Sequence, residues 1–291
     1  SLALGSDSTA SADGSVALGQ GSEATRANTV SVGSEGSERQ IVNVEAGTED
    51  TDAVNVGQLD EATANSKYFR ATGEGEAYAL GEDATAAGSD AYAEGEYSTA
   101  IGASSSANAQ GASAFGSGAT AQSMDATAVG FNATAFGQNS AAFGAGANAD
   151  GPASVAIGGN AVDENGDPLL TLGGAPVETS ATSAGVAATA VGASADATGF
   201  ASAAVGVGAS AVGDQSLALG AVSTASADFA TAVGSQAVAS GASSVAVGGP
   251  ADLIPGAGFL VSTAATGDNA AAFGAGTIAS GNNSTAVGTL S

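Results

Sequence analysis

A four-residue phrase, a small or branched residue, then Ala, one bulky apolar residue and Gly, recurs at a fixed interval along most of the 291-residue chain. It reads Leu2-Ala3-Leu4-Gly5, then Val16-Ala17-Leu18-Gly19, then Val30-Ser31-Val32-Gly33, each closing Gly 14 residues after the last. The series resumes at Gly81 and continues through Gly102, Gly116, Gly130, Gly137, Gly144 and Gly158, later through Gly192, Gly206, Gly220, Gly234 and Gly248, and ends at Gly274 and Gly288. A period near 14 is too short for a helical repeat, which leaves one chain winding around an axis, with two short strands and two tight turns per coil. Strand alternation places Val16 and Leu18 on one face and Ala17 on the other. The closing Gly is expected at positive φ, which only Gly adopts at no steric cost. Phrases 7 apart, ending at Gly130, Gly137 and Gly144, predict that both halves of a coil share one local geometry.

The chain holds 45 Gly and no Trp, and only 4% of it is aromatic, too little bulk for a rounded core. Ala-rich faces predict a thin, flat coil that buries too little by itself to offset its ordering entropy. We therefore expect an obligate oligomer, with Ala on the second face as the smooth surface for lateral association.

Charge restricts the partners. Arg26, Arg39, Lys67 and Arg70 are the four cations against 29 acids, and the net charge is −25. Nothing after Arg70 is basic, so nucleic acid and anionic membrane surfaces are expected to be repelled. Acids on a repetitive sheet protein keep it soluble and discourage edge pairing. The densest acidic stretch runs from Glu74 to Glu96 without regular ligand spacing. His and Cys are absent, which removes the usual general base, thiol nucleophile and soft metal ligands. No catalytic residue, metal site or cofactor is expected. There is no signal peptide and no apolar run of membrane-spanning length, and residue 1 falls within a repeat, so the chain reads as an internal fragment of a longer protein.

The repeats break between Gly33 and about Gly73. This segment contains Asn28-Thr29-Val30-Ser31-Val32-Gly33, Arg39-Gln40-Ile41-Val42-Asn43-Val44, Ala46-Gly47-Thr48 and Asp52-Ala53-Val54-Asn55-Val56-Gly57-Gln58-Leu59. Glu49 to Asp52 puts acids and a capping side chain just ahead of a helix start. Val56, Leu59, Thr63 and Ser66 then follow 3-4-3 spacing, a short coiled-coil seam.

This segment resembles the neck of trimeric autotransporter adhesins of the YadA type, and the flanking phrases resemble the head repeats of that family. The resemblance implies an all-β fold, a left-handed parallel β-roll of 14-residue coils, in a homotrimer, with a short neck and coiled-coil segment between two heads. It divides the chain into residues 1–33, the end of a first head; 34–59, the neck; 60–66, a short coiled-coil stalk; 67–73, a connector; and 74–291, a second head. Arg39 is then expected to pair with an acid of its own or a neighbouring subunit, and Asp52 and Asn55 to cap or cross-link at the helix start. Asn43, Val56 and Leu59 complete the neck and trimer set. Lys67, Phe69, Arg70 and Gly73 resemble the family's connector, with Lys67 and Arg70 balancing the acids that follow.

Two insertions depart from the repeat, near 159–182 and 249–266. Both begin with a Gly pair, Gly158-Gly159 and Gly248-Gly249. The first carries Leu169, Leu170 and Leu172, and the second Leu253, Ile254, Phe259 and Leu260. Asp163-Glu164-Asn165-Gly166-Asp167 lacks the spacing and final Glu of a calcium loop and is expected to form a hairpin tip. The apolar residues leave two readings open: clamps that cover a neighbouring subunit, or an exposed docking patch.

The function expected is therefore a non-catalytic head of a bacterial surface adhesin at the outer membrane of a Gram-negative cell. Its partners would be itself, as a homotrimer, and host extracellular matrix or cell-surface proteins or glycans, with autoagglutination as a further outcome. Membrane contact would come only through a C-terminal anchor outside this fragment. The alternative is a structural spacer that lengthens a fibre whose adhesive site lies elsewhere. A calcium-stabilised secreted roll is disfavoured, because such repeats run in nines with a regular Asp.

Overall fold

The computed structural model describes residues 1–64, 74–169, 171–172, 175–176, 182–254 and 258–291. The chain divides into two units, Ser1–Arg70 and Ala71–Ser291. In each, a coil consists of one three-residue strand and one two-residue strand, as in Thr99–Ile101, Ser106–Ala107, Ser113–Phe115 and Thr120–Ala121. The strands of the coils pair in parallel with their equivalents one coil on: Ala100 lies opposite Ala114, and Ala114 opposite Ala128. The second unit therefore contains two 13-stranded parallel sheets, one of long strands and one of short. The first contains a three-stranded and a two-stranded sheet built the same way. At the inter-strand spacing of about 4.8 Å, thirteen coils make a shaft of roughly 60 Å.

The interior is almost entirely Ala. The middle residue of each long strand and the second of each short strand point inward, and Ala93, Ala100, Ala107, Ala114, Ala121 and Ala128 are fully buried. This corrects the expectation that Ala forms the lateral face. The two sheets of one coil are joined by turns of only a few residues, so the gap between them admits a methyl group and little more. Alternation then sends the bulky member of each phrase outward.

The corners repeat every seven residues. Asp83, Asp90, Tyr97, Ser104, Gly111, Gly118, Asp125, Asn132 and Asn139 all adopt the left-handed conformation, with φ between 51° and 68°. From Asp90 onward each of these corner amides is satisfied by the coil before it, as where the Asn132 N–H donates to the Ser117 carbonyl at 3.0 Å.

The two halves of a coil do not share one geometry. Gly116, closing a long strand, has φ of 131°, and a Cβ there would lie 2.5 Å from the Gly130 oxygen. Gly137, closing a short strand, lacks a positive φ, yet a Cβ would come within 2.0 Å of the Gly151 oxygen. One corner requires Gly for its backbone conformation and for space; the other requires it only because the next coil is so close.

Neither insertion interrupts the solenoid. Val155–Ile157 pairs directly with Thr189–Val191, and Val245–Val247 with Ala271–Phe273. The coil after the first insertion is one residue short, since Ser183 pairs with Asp196, 13 residues on. Ala184 there runs straight into Gly185, whose N–H donates to the Ala197 carbonyl at 2.8 Å. Among the described residues the one helix is Val56–Ala64, and no helix is long and apolar enough to cross a membrane.

Candidate functional site

The neck residues form a network of backbone caps. The Arg39 guanidinium donates to the Gln20 carbonyl at 2.6 Å, the Val32 carbonyl at 2.7 Å and the Ser22 hydroxyl at 3.0 Å. Within its own chain Arg39 thus closes the open end of the last coil by binding carbonyls, and the expected acid is not among these partners. The unpaired carbonyls of a terminal strand need donors, and one planar guanidinium serves two of them together.

Asp52 caps a turn ahead of the helix. Its Oδ2 accepts from the N–H groups of Thr48 at 2.9 Å and Glu49 at 3.0 Å, and these bonds hold the carboxyl below its ordinary pKa. The helix cap itself is Asn55, whose Oδ1 accepts from the Gln58 N–H at 3.0 Å. The helix start therefore lies four residues beyond the acids at 49–52. Gln58, which the sequence reading passed over, answers with its Oε1 toward the Asn55 N–H at 3.4 Å and also grips Gly47, accepting from its N–H at 2.9 Å and donating to its carbonyl at 3.0 Å. The signal was present: Asn55-x-x-Gln58 has the spacing of a capping box. Asn55 Nδ2 donates to the Val44 carbonyl at 3.1 Å, tying strand-like chain to helix. Asn43 adopts a left-handed φ of 59° in the approach to this point.

Apolar neck residues face outward from the single chain. Ile41, Val42, Val54, Val56 and Leu59 are all more than half exposed. The connector residues Lys67, Phe69, Arg70 and Gly73 lie outside the described residues, as does Leu170.

In the first insertion Val162 bridges Pro168 in antiparallel fashion, and Asp163 Oδ1 accepts from the N–H groups of Asn165 at 2.8 Å and Asp167 at 2.9 Å. Those bonds lower the Asp163 pKa and make this a hairpin tip. Leu169 is exposed, and the backbone at Thr171–Leu172 pairs with Ala175–Pro176. In the second, Ala251–Asp252 pairs with Leu260–Val261, and Leu253, Ile254, Phe259 and Leu260 are more than half exposed. Both insertions rejoin the roll at a buried Thr, Thr182 or Thr263, whose hydroxyl donates to the carbonyl of the next closing Gly, Gly192 or Gly274.

The two outer faces of the shaft differ in chemistry. On the long-strand sheet one position carries Ile101, Phe115, Val129, Phe143, Ile157 and Val191, in register coil after coil. Phe115, Phe143, Ile157 and Phe273 are 38–42% exposed, an unbroken apolar ladder on a lone chain. The short-strand sheet instead presents Tyr92, Ser106, Thr120, Thr134 and Asn148 in register. These are cross-linked where Thr134 Oγ1 donates to Asn148 Oδ1 at 2.8 Å, and at its start Tyr78 and Tyr92 have ring centroids 6.3 Å apart. Among the described residues no cluster of acids has the arrangement of a metal site.

Comparison with known families agrees with this architecture. The coiled stalk of trimeric autotransporter adhesin matches residues 40–81. The YadA head domain repeat matches 1–22, 10–35, 79–105, 107–133, 135–161, 197–223, 225–249 and 265–291. No curated protein matches the chain. The head-repeat segments fall on the coils and spare most of the first insertion, and together with the stalk match they span well over half of the sequence: the chain belongs to the family of YadA-type trimeric autotransporter adhesins.

Proposed function

We propose that this chain is a non-catalytic adhesive head at the surface of a Gram-negative bacterium, which assembles through its apolar ladder and attaches to host matrix or cell-surface macromolecules through its polar short-strand face. Chains of this family self-associate as homotrimers. The observation that carries the reading is the difference between the two faces of one roll: bulky apolar groups repeat on the long-strand sheet, and hydroxyls and amides from Ser106 to Asn148 on the other, which turns apolar only at Val238, Ala264 and Ile278 near its far end. Three ladders meeting on a threefold axis would remove the apolar surface from water and leave the polar faces outside. Over the polar coils, one such group every ~4.8 Å on three chains suits weak contacts made many times, so avidity supplies what each contact lacks.

The test is a binding screen of the purified trimer against collagen, fibronectin, laminin and a glycan array, with a Thr120→Ala, Thr134→Ala, Asn148→Ala triple variant beside it. Binding by the parent and a loss of at least about tenfold in the variant support the reading. Binding that is equal in both rejects the polar face. If neither binds while the intact fibre does, the head is a spacer.

A further inference from the structure

We infer that the second insertion is an intersubunit clasp: its apolar hairpin end packs on a neighbouring copy of this chain, beside the long-strand ladder. The inference rests on the reading of that ladder as the trimer face. Three observations lead to it. First, the hairpin leaves the roll at Gly248, directly after the ladder residue Val247, so it begins where the proposed interface ends. Second, its base is fixed in direction. The Gly276 N–H donates to the Gly249 carbonyl at 3.1 Å, Ala251 is 8% exposed, and a Cβ on Gly276 would meet the Ala251 methyl at 2.7 Å. Glycine at 276 thus makes room for the hairpin base on the next coil. Gly159 and Ser194 repeat this arrangement under the first insertion, with Ser194 N–H donating to the Gly159 carbonyl at 2.7 Å and Ser194 Oγ accepting from the Ala161 N–H at 3.0 Å.

Third, past that base the apolar side chains are left more than half uncovered by their own chain. The Leu253 N–H donates to the Phe259 carbonyl at 2.8 Å, which brings both strands' apolar ends together, yet Leu253, Ile254, Phe259 and Leu260 are 54–62% exposed. Charge selects the occupant. The chain carries −25 overall, but between Gly249 and Thr266 Asp252 is the one ionisable side chain. A nearly neutral apolar hairpin can approach a second strongly acidic copy without the repulsion that an acidic loop would meet. A cationic ligand, in contrast, would be drawn to the acids elsewhere on the chain.

The test is photo-crosslinking of the 291-residue chain with a benzophenone amino acid in place of Phe259, of Val205 on the ladder, or of Phe229 on the opposite corner. Covalent dimers and trimers from position 259 on a denaturing gel, with monomer from 229, are expected. Monomer alone from 259 while 205 links chains overturns the clasp and leaves the ladder standing, which gives the hairpin to an outside partner. Monomer from both 259 and 205 overturns clasp and ladder together, and links from 259 without links from 205 show that the hairpin meets a second copy away from the ladder, which overturns the clasp as placed here. As a second readout, Phe259→Ser is expected to speed subunit exchange between labelled trimers by about tenfold or more. An unchanged exchange rate argues against the clasp whatever the gel shows.

Discussion

The residues at the corners carry most of the strain and most of the polar bookkeeping. Val222 has φ of 57°, a left-handed conformation that a β-branched side chain rarely takes, while Asn28, Asn132, Asn139, Asn269 and Asn283 hold the equivalent position comfortably. Val222→Asn keeps the bond from its N–H to the Val207 carbonyl, 2.9 Å in the parent, and should stabilise the roll by about 1 kcal/mol per chain. A calorimetric midpoint that stays put or falls would count against the strain argument. The buried Ser residues make a sharper comparison. In the second unit Ser98, Ser140, Ser154, Ser202, Ser216 and Ser244, each just before a long strand, have hydroxyls without a hydrogen-bond partner. Ser105 and Ser223, just before short strands, donate instead to the Gly102 and Gly220 carbonyls at 2.8 and 2.9 Å. Ser216→Ala should therefore be neutral or stabilising, whereas Ser223→Ala should cost about 1 kcal/mol, and chemical denaturation of the two variants side by side decides it.

Among the elements, the neck depends on a few caps rather than on buried bulk. The helix Val56–Ala64 has nine residues, too few to be stable alone, so the reciprocal bonds of Asn55 and Gln58 set where it begins. Asn55→Ala should cost about 1 kcal/mol per chain and be visible as lost amide protection at Gln58 by hydrogen exchange, with the coils unaffected. Acid should act at the turn just before it. The Asp52 carboxyl is held below its ordinary value of 3.8 by the Thr48 and then the Glu49 N–H. A depressed carboxylate stabilises the fold fully above its unfolded pKa, and that contribution is lost as pH falls through the lower folded value. The carboxyl carbon of Asp52, followed by NMR from pH 6 to pH 2, should titrate with a midpoint below 3.8, and Asp52→Asn should flatten the acid limb of neck stability.

For the whole molecule, the apolar ladder and the exposed neck residues Ile41, Val42, Val54, Val56 and Leu59 together leave a lone chain with more bare apolar surface than a monomer comfortably carries. Sedimentation should give a species of three times the 26.8 kDa chain mass. Val205→Asp, which places a charge on each ladder near the middle of the second unit, should shift the species toward monomer at micromolar concentration. A trimer of unchanged stability would show that the chains meet through some other face.

The period of 14, the Gly that closes each phrase and the shortage of large side chains are local properties, and they determined the parallel coil, its two strands and its thinness before any coordinates. Strand alternation defines two faces but does not say which one turns inward. Ala100 and Ile101 were interchangeable on that ground. The turns, only a few residues long, bring the two sheets of a coil so close that Ala fits between them and Ile does not, and that distance exists only once the coil is closed. The same holds for Gly137, needed because Gly151 of the next coil lies against it, and for Arg39, whose carbonyl partners at Gln20 and Val32 are 19 and 7 residues away in sequence. Gln58 was legible through its spacing from Asn55, while its grip on Gly47 was not. Spacing along a chain reports on neighbours within one turn; contacts between coils depend on where winding places distant residues, and tertiary structure alone decides that.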